Sequence, residues 1–202
     1  MAFTFFFRDM QTLALIKDRA LPNLLEQRTI RIWDAGCAMG QEPYSLAIVI
    51  RESMGAFRFR RIQIHATDVD PSAQFGPIVK RGIYHADQIQ RIPHGLREKY
   101  FSPADEPGCF RIADEIRARV TFQQHDLLTL APPADDPMDV VLCKNVLLHL
   151  TDEQKCGVIR LFHDTLSPRG YLAMEQTQPI PDPVAPLFEP VVAHAKFFRK
   201  AG

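Results

Sequence analysis

The sequence predicts an α/β fold of the Rossmann-like kind, a mostly parallel seven-stranded sheet with a small antiparallel insertion. Three observations carry this expectation. Apolar strand-like runs alternate with amphipathic helical stretches along the 202 residues. The first such run passes through a D-x-G-x-x-x-G turn (Asp34, Gly36, Gly40) into a helix opening on Gln41-Glu42-Pro43-Tyr44-Ser45. Polar groups gather wherever a predicted parallel strand ends.

Taken in order, residues 8–26, rich in Leu, Ile and Ala, predict a first helix. Strand one is TIRIWDA, and its helix runs from Pro43 to Met54; proline suits a first helical position. Strand two is RIQIHATDVD, after which Pro71 and Ser72 open a short helix ending near Gly82. Residues 83–119 break the rhythm, with apolar residues alternating about the turn-rich SPADEPG, which predicts a small β-hairpin insertion. VTFQQHDLL and MDVVLCKNVLLHL are strands three and four. DEQKCGVIRLFHDT is a helix with Val158, Leu161, Phe162 and Leu166 on one stripe, capped by Thr151 or Asp152 and stopped by Ser-Pro-Arg-Gly. GYLAMEQ is strand five, and strands around LFEPVV and AKFFRK close the sheet edge; the proline-rich QPIPDPVAP reads as a surface loop. The whole, 1–202, is expected to be one domain.

Composition narrows the function. A hydrophobic share of 46%, a charged share of 24% and a net charge of zero are ordinary for a globular protein, and no basic footprint points to nucleic acid. The four cysteines (Cys37, Cys109, Cys143, Cys156) form no C-x-x-C pair and no metal-ligand cluster, and Cys37 and Cys143 sit in apolar strand-like runs. A reduced cytoplasmic setting without a metal is expected. AFTFFFRDM is too short to span a membrane and lacks a signal peptide's layout, so no membrane insertion is expected.

In an open parallel sheet, ligands collect at the carboxyl ends of the strands. Those ends carry Asp34 and Gly36, then Asp68 and Asp70, His125 and Asp126, and Lys144 and Asn145. Gly36 lets the backbone approach a nucleoside, and Gly40 takes a conformation closed to bulkier residues. Asp68, 28 residues beyond Gly40, stands where such folds place a ribose-binding carboxylate. Its alternative is a helix N-cap before Pro71. The glycine spacing is wrong for a dinucleotide fingerprint. Glu42 at the helix start would repel a pyrophosphate and suits a cationic group, such as the sulfonium or amino group of S-adenosylmethionine; its alternative is interaction with the helix dipole.

Several segments resemble, in order and spacing, those of one family. TFFFRD is similar to T-x-F-F-R, RIWDAGCAMGQEPYSLA to R-[IV]-W-S-A-x-x-x-G-E-E-P-Y-S-[LI]-A, and HATDVD to A-T-D-I-D. KRGIYHADQIQRIPHGLREKYF resembles an S-G-x-Y segment, VLCKNVLLHL resembles I-F-C-R-N-V-x-I-Y-F, and LSPRGYL resembles L-K-P-G-G-x-L. The family is that of the chemotaxis receptor methyltransferases, the CheR family of S-adenosylmethionine-dependent protein-glutamate O-methyltransferases. The resemblance implies a class I S-adenosylmethionine-dependent methyltransferase fold. It implies S-adenosylmethionine as donor, S-adenosylhomocysteine as product, and a chemoreceptor or other signalling protein as partner. Carried over, Thr4 and Arg8 contact the donor's methionine portion, Arg8 at its carboxylate. Asp34 and Gly36 belong to the donor turn, Glu42 lies near the amino-acid or sulfonium end, and Asp68 holds the ribose. Asp126 and Leu127 flank the adenine, and Asn145 closes the pocket beside the methyl group. For Arg8 an exposed helix-start arginine is the alternative.

The chain also departs from the family pattern, and donor-side residues are better kept than acceptor-side ones. Ala2 stands for asparagine, Gln41 for the first glutamate of G-E-E-P-Y, Asp126 for an asparagine, and Lys144 for the arginine before Asn145. His149 replaces the tyrosine of I-Y-F, and Glu175-Gln176-Thr177-Gln178 replaces G-H-S-E. The chain begins at the T-x-F-F-R motif, so the helical domain that usually precedes it is expected to be absent.

A carboxylate acceptor is ionised at neutral pH and needs no strong base, so catalysis would rest on alignment and exclusion of water. His149 and Arg8 are the candidates for a catalytic role. A histidine with an ordinary pKa near 6.5 could instead take a proton from a hydroxyl or amine acceptor; the alternative is that His149 is merely hydrogen-bonded at a turn. A small-molecule O- or N-methyltransferase and a non-catalytic donor-binding signalling module stand beside the leading reading.

Overall fold

The computed structural model describes residues 4–202; Ala2 lies outside them. The chain opens with α1 (Met10–Leu15), a π-helical turn (Ile16–Ala20) and α2 (Leu21–Leu24). The expected helix over 8–26 therefore starts later, because Asp9 is its cap and accepts the Thr12 N–H at 3.2 Å. Next come β1 (Ile30–Ala35), α3 (Gln41–Phe59), β2 (Ile62–Asp68) and α4 (Phe75–Arg81). The insertion holds β3 (Ile83–His85), α5 (His94–Tyr100), β4 (Phe101–Pro103), β5 (Cys109–Ile112) and α6 (Asp114–Arg117). The chain then runs through β6 (Val120–Gln124), β7 (Met138–Cys143), α7 (Asp152–Thr165), β8 (Leu166–Met174), β9 (Phe188–Pro190) and β10 (Phe197–Lys200).

The large sheet has the order β6-β2-β1-β7-β8-β10-β9. Its first five strands are parallel, and β10 runs antiparallel to β8 and β9. Alternation along each central strand feeds two cores. Ile32, Val140 and Leu142 face α3 and the first helices, whereas Trp33, Val141 and Cys143 face α7. Each such fully buried aliphatic side chain contributes about 1.5–3 kcal/mol, which fixes where β1 and β7 end and so where their polar tips lie.

Several local expectations are corrected. The insertion is a three-stranded antiparallel sheet, β3-β5-β4, and not a hairpin. The turn at 104–108 joins β4 and β5 as read, but β3 pairs with β5 from the far side of α5. Helix α4 starts at Phe75 and not at Pro71, because the Asp70 carboxylate accepts the N–H groups of Gln74, Phe75 and Gly76. Strand four ends at Cys143, and Leu147–His149 forms a 3-10 turn. Thr151 is the cap of α7, in a reciprocal box with Gln154. Ser-Pro-Arg-Gly does not stop that helix; it lies within β8, which starts at the helix cap Leu166. The proline-rich loop contains a 3-10 helix (Asp182–Leu187) held by the buried Val184. Cys37 lies in the turn after β1, still buried. Among the described residues no helix is long and apolar enough to cross a membrane, and no group of histidine, cysteine and carboxylate side chains could hold a metal.

Candidate active site

A cavity of about 430 Å³ opens at the carboxyl ends of β1, β2 and β7, within the size range of small-molecule sites. Thr4, Phe5, Arg8 and Asp9 line one side, and Gly36, Cys37 and Ala38 form the turn beneath. Glu42 and Ser45 enter from α3, Asp68 from β2, and Lys144, Asn145, Val146, Leu148 and His149 from the segment after β7.

The glycine turn is built by close approach. Gly36 has φ 108° and Gly40 φ 91°, both in the region that disfavours L side chains. A Cβ on Gly36 would lie 2.2 Å from the Val146 side chain, so glycine here lets the segment after β7 close over the turn. The Gly36 and Cys37 N–H groups donate to the Thr67 carbonyl at 2.8 and 3.0 Å. The Tyr84 hydroxyl, from β3, donates to the Met39 carbonyl at 2.8 Å. The first segment is tied down by the Phe7 N–H, which donates to Ser45 Oγ at 2.9 Å.

The two acids after β2 divide their work. Asp70 is spent on the start of α4, which leaves Asp68 at the cavity wall. Asp68 accepts the Ala38 N–H at 2.9 Å and the Asp70 N–H at 3.3 Å. These bonds orient its carboxylate while leaving lone pairs for a ligand hydroxyl. The helix-cap alternative for Asp68 thus falls to its neighbour.

Charge is concentrated on the cavity floor. Lys144, only 5% exposed, reaches Asp9 at 2.9 Å and Glu42 at 3.4 Å. Burial would raise the Asp9 pKa, but bonding to Lys144 and Thr12 outweighs it and holds the carboxyl below its usual value. Glu42 is pushed up by burial, against the pull of Lys144. Asp34 lies at 0% exposure beneath them. Burial first, then the negative charge of Glu42, pushes its pKa well above the carboxylate range. Its carboxyl lies against that of Glu42, and the two acids share a hydrogen bond.

After β7 the backbone turns sharply at Asn145, which has φ 59°. Its N–H donates to Glu175 Oε2 at 3.2 Å. The following 3-10 turn presents Leu148 and His149 to the cavity.

Of the residues predicted from sequence, Thr4, Arg8, Gly36, Glu42, Asp68, Asn145 and His149 meet around one cavity. Asp34 lies under it and not on its wall. Asp126 and Leu127 do not line it: the Asp126 carboxylate accepts the Leu128 N–H at 2.9 Å, and Leu127 packs in the α7 core. Arg8 stands over the Phe5 ring at 5.8 Å, and Arg91 over the same ring at 4.4 Å. Sequence reasoning named Lys144 as a strand-end polar group and Glu175 as a departure from the family pattern, without a role for either, and it gave Asp9 none. Lys144 carried a signal, a charge at the end of a strand otherwise wholly apolar.

Comparison with known proteins agrees with this geometry. The family model described as CheR methyltransferase, SAM binding domain, matches residues 2–192. Chemotaxis protein methyltransferase 1 of Pseudomonas aeruginosa is 34% identical over 189 residues, covering 89% of this chain and 68% of its own length. Chemotaxis protein methyltransferase 2 of Vibrio cholerae is 29% identical over 204 residues, covering 98% and 67%. The chemotaxis protein methyltransferase of Listeria innocua is 32% identical over 183 residues, covering 88% and 65%. The chain thus spans about two thirds of the length of these relatives. Among solved structures, the rRNA methyltransferase aviRa of Streptomyces viridochromogenes superposes with a TM-score of 0.58 at 16% identity, over 98% of this chain and 86% of its own. That likeness shows the fold alone, a class I methyltransferase architecture.

Proposed function

The chain belongs to the CheR methyltransferase family, and from that premise we propose that it transfers a methyl group from S-adenosylmethionine to a glutamate carboxylate of a partner protein, a chemoreceptor or another signalling protein. The observation that carries this reading is the convergence of Arg8, Glu42, Asp68 and Asn145 on one cavity at the glycine turn.

The residues fit the donor chemically. The cavity has the volume for a nucleoside-bearing ligand, and its floor is predominantly anionic, as a cationic ligand requires. Bound there, S-adenosylmethionine supplies a methyl group on positive sulfur, ready to pass to a nucleophile. Asp68, held by two backbone N–H groups, would accept from the ribose hydroxyls. Arg8 would take the donor's carboxylate. Glu42 and Asp9, bridged by Lys144, would share their charge with the donor's amino group. The acceptor carboxylate, ionised at neutral pH, needs alignment and not deprotonation. His149, on the cavity wall after β7, would meet it beside the methyl carbon.

A hydroxyl or amine acceptor is the second reading. It is favoured by His149 lining the cavity where the family pattern has tyrosine, because an imidazole can take the proton such an acceptor must lose. Calorimetry with S-adenosylhomocysteine tests the donor: no binding at millimolar ligand would sink both readings. Radiolabelled methyl transfer to a receptor membrane fraction tests the acceptor. Base-labile label identifies a methyl ester, and base-stable label transfers the case to the second reading.

A further inference from the structure

We infer that Glu175 is a positioning residue of this site, acting through the backbone of Asn145 to set the wall on which donor and acceptor meet. The inference rests on the proposed methyl-transfer reading. Glu175 follows the last residue of β8 at the carboxyl end of the sheet and is 5% exposed. It does not line the cavity, yet one of its oxygens accepts the N–H of Asn145, which does. Asn145 stands in the left-handed region, which asparagine enters more readily than most L residues. That single residue sets the direction in which the chain leaves β7, and hence where the turn bearing His149 points.

The second oxygen of Glu175 is buried without a hydrogen-bond partner among the described residues. A buried carboxylate with one oxygen unsatisfied costs stability, so this group weakens the fold it sits in. Burial raises its pKa, while its own backbone, the Asn145 N–H, Lys144 and His149 favour its charged form. The carboxylate thus bonds Asn145 and feels the charge of Lys144 and His149, all three of which line the cavity. The family pattern at this position, G-H-S-E, has a glycine, with no side chain to bond Asn145 or to oppose His149. A buried acid bonded to the cavity wall at its sharpest bend is placed to set the geometry of that wall.

Glu175→Leu in the full chain separates the two roles: it removes the acceptor of the Asn145 N–H, whereas Glu175→Gln keeps an amide oxygen there and should restore turnover. A purely structural glutamate, once replaced, would lower the melting temperature and the turnover together. For the positioning role the variant melts at the same or a higher temperature and binds S-adenosylhomocysteine as the parent does. Its turnover falls roughly tenfold or more, the scale expected when reacting groups are misplaced without loss of binding. Full turnover in Glu175→Leu, or turnover lost only in step with folding, would overturn the inference. A readout independent of activity is the Asn145 amide proton shift followed by NMR from pH 3 to 8. It should titrate with a midpoint above the ordinary glutamate value of about 4.3 in the parent and lose that transition in Glu175→Gln. An amide shift insensitive to pH in the parent would overturn the inference even if no methyl transfer is found, whereas a normal titration without turnover would count against the proposed function alone.

Discussion

Lys144 and Asp9 form an ion pair of 2.9 Å that joins the end of β7 to the cap of the first helix. The lysine is buried, so the pair works in an environment where screening by salt is weak. Lys144→Ala would leave Asp9 and Glu42 without their shared cation. The expected loss is about 3–5 kcal/mol, the cost of breaking a buried pair from one side. Equilibrium denaturation in urea measures it, and Lys144→Arg should retain most of the stability. A loss below 1 kcal/mol would mean that the cluster is solvated in solution.

Asp68 and Asp70 should separate cleanly in their effects. Asp68→Asn is expected to weaken S-adenosylhomocysteine binding roughly tenfold, about the value of one charge-assisted hydrogen bond. Asp70→Ala removes the acceptor of three N–H groups at the start of α4. It should cost about 1–2 kcal/mol of stability, as lost helix caps do, with donor affinity unchanged. Paired calorimetry and melting curves check the contrast; the reverse pattern would exchange the two roles.

Asp34 gives a pH-dependent signature. Its folded-state pKa is raised, so folding takes up a proton once pH exceeds the unfolded value near 3.9. The stability the neutral acid brings is full below that value and is lost as pH rises toward the folded pKa. Asp34→Asn mimics the neutral acid at every pH. It should raise the melting temperature at pH 7, with a gain that shrinks toward zero as pH approaches 4. A gain independent of pH would show that Asp34 is ionised in the fold.

His149→Ala should lower turnover by roughly ten- to a hundredfold while S-adenosylhomocysteine binds as before. Initial rates at saturating donor, together with calorimetry, provide the check. Unchanged turnover would remove His149 from the mechanism under either acceptor.

Arg169 stands at φ 69° in β8, where the family pattern L-K-P-G-G-x-L has a glycine. Left-handed backbone costs an ordinary residue about 1–2 kcal/mol, and glycine's freedom in the unfolded chain returns part of that. Arg169→Gly is expected to stabilise by about 0.5–1 kcal/mol, read as a higher urea midpoint with an unchanged slope. A lower midpoint would show that the arginine side chain makes contacts worth more than its backbone strain.

The parallel sheet was legible because strands buried on both faces write long apolar runs, as in IRIWDA and MDVVLC, and because D-x-G-x-x-x-G has a steric reason to be there. The insertion was read only in part. Its turn is local and visible, but the pairing of Ile83–His85 with Cys109–Ile112 joins residues far apart in sequence, which no local pattern encodes. The same holds for the site. Asp68, Glu42 and Asn145 each announce themselves beside a strand end or helix start. The pairing of Lys144 with Asp9 spans most of the chain and exists only once the sheet has brought the two together. Asp126 shows the same limit: a short polar residue after a strand can serve a local turn, as its bond from the Leu128 N–H does.

The hydrogen bond from Tyr84 to the Met39 carbonyl bears on modularity. Tyr84 belongs to the inserted sheet, is 1% exposed, and packs edge-on against Phe6 at 4.9 Å and Tyr44 at 6.2 Å. Phe6 lies in the segment that carries Thr4 and Arg8, and Tyr44 lies in the first turns of the helix that starts at Gln41. An attempt to trim the protein by excising the insertion would therefore strip the backing from two walls of the donor cavity at once. The small sheet cannot be traded between relatives as a detachable cassette without retuning the glycine turn it props.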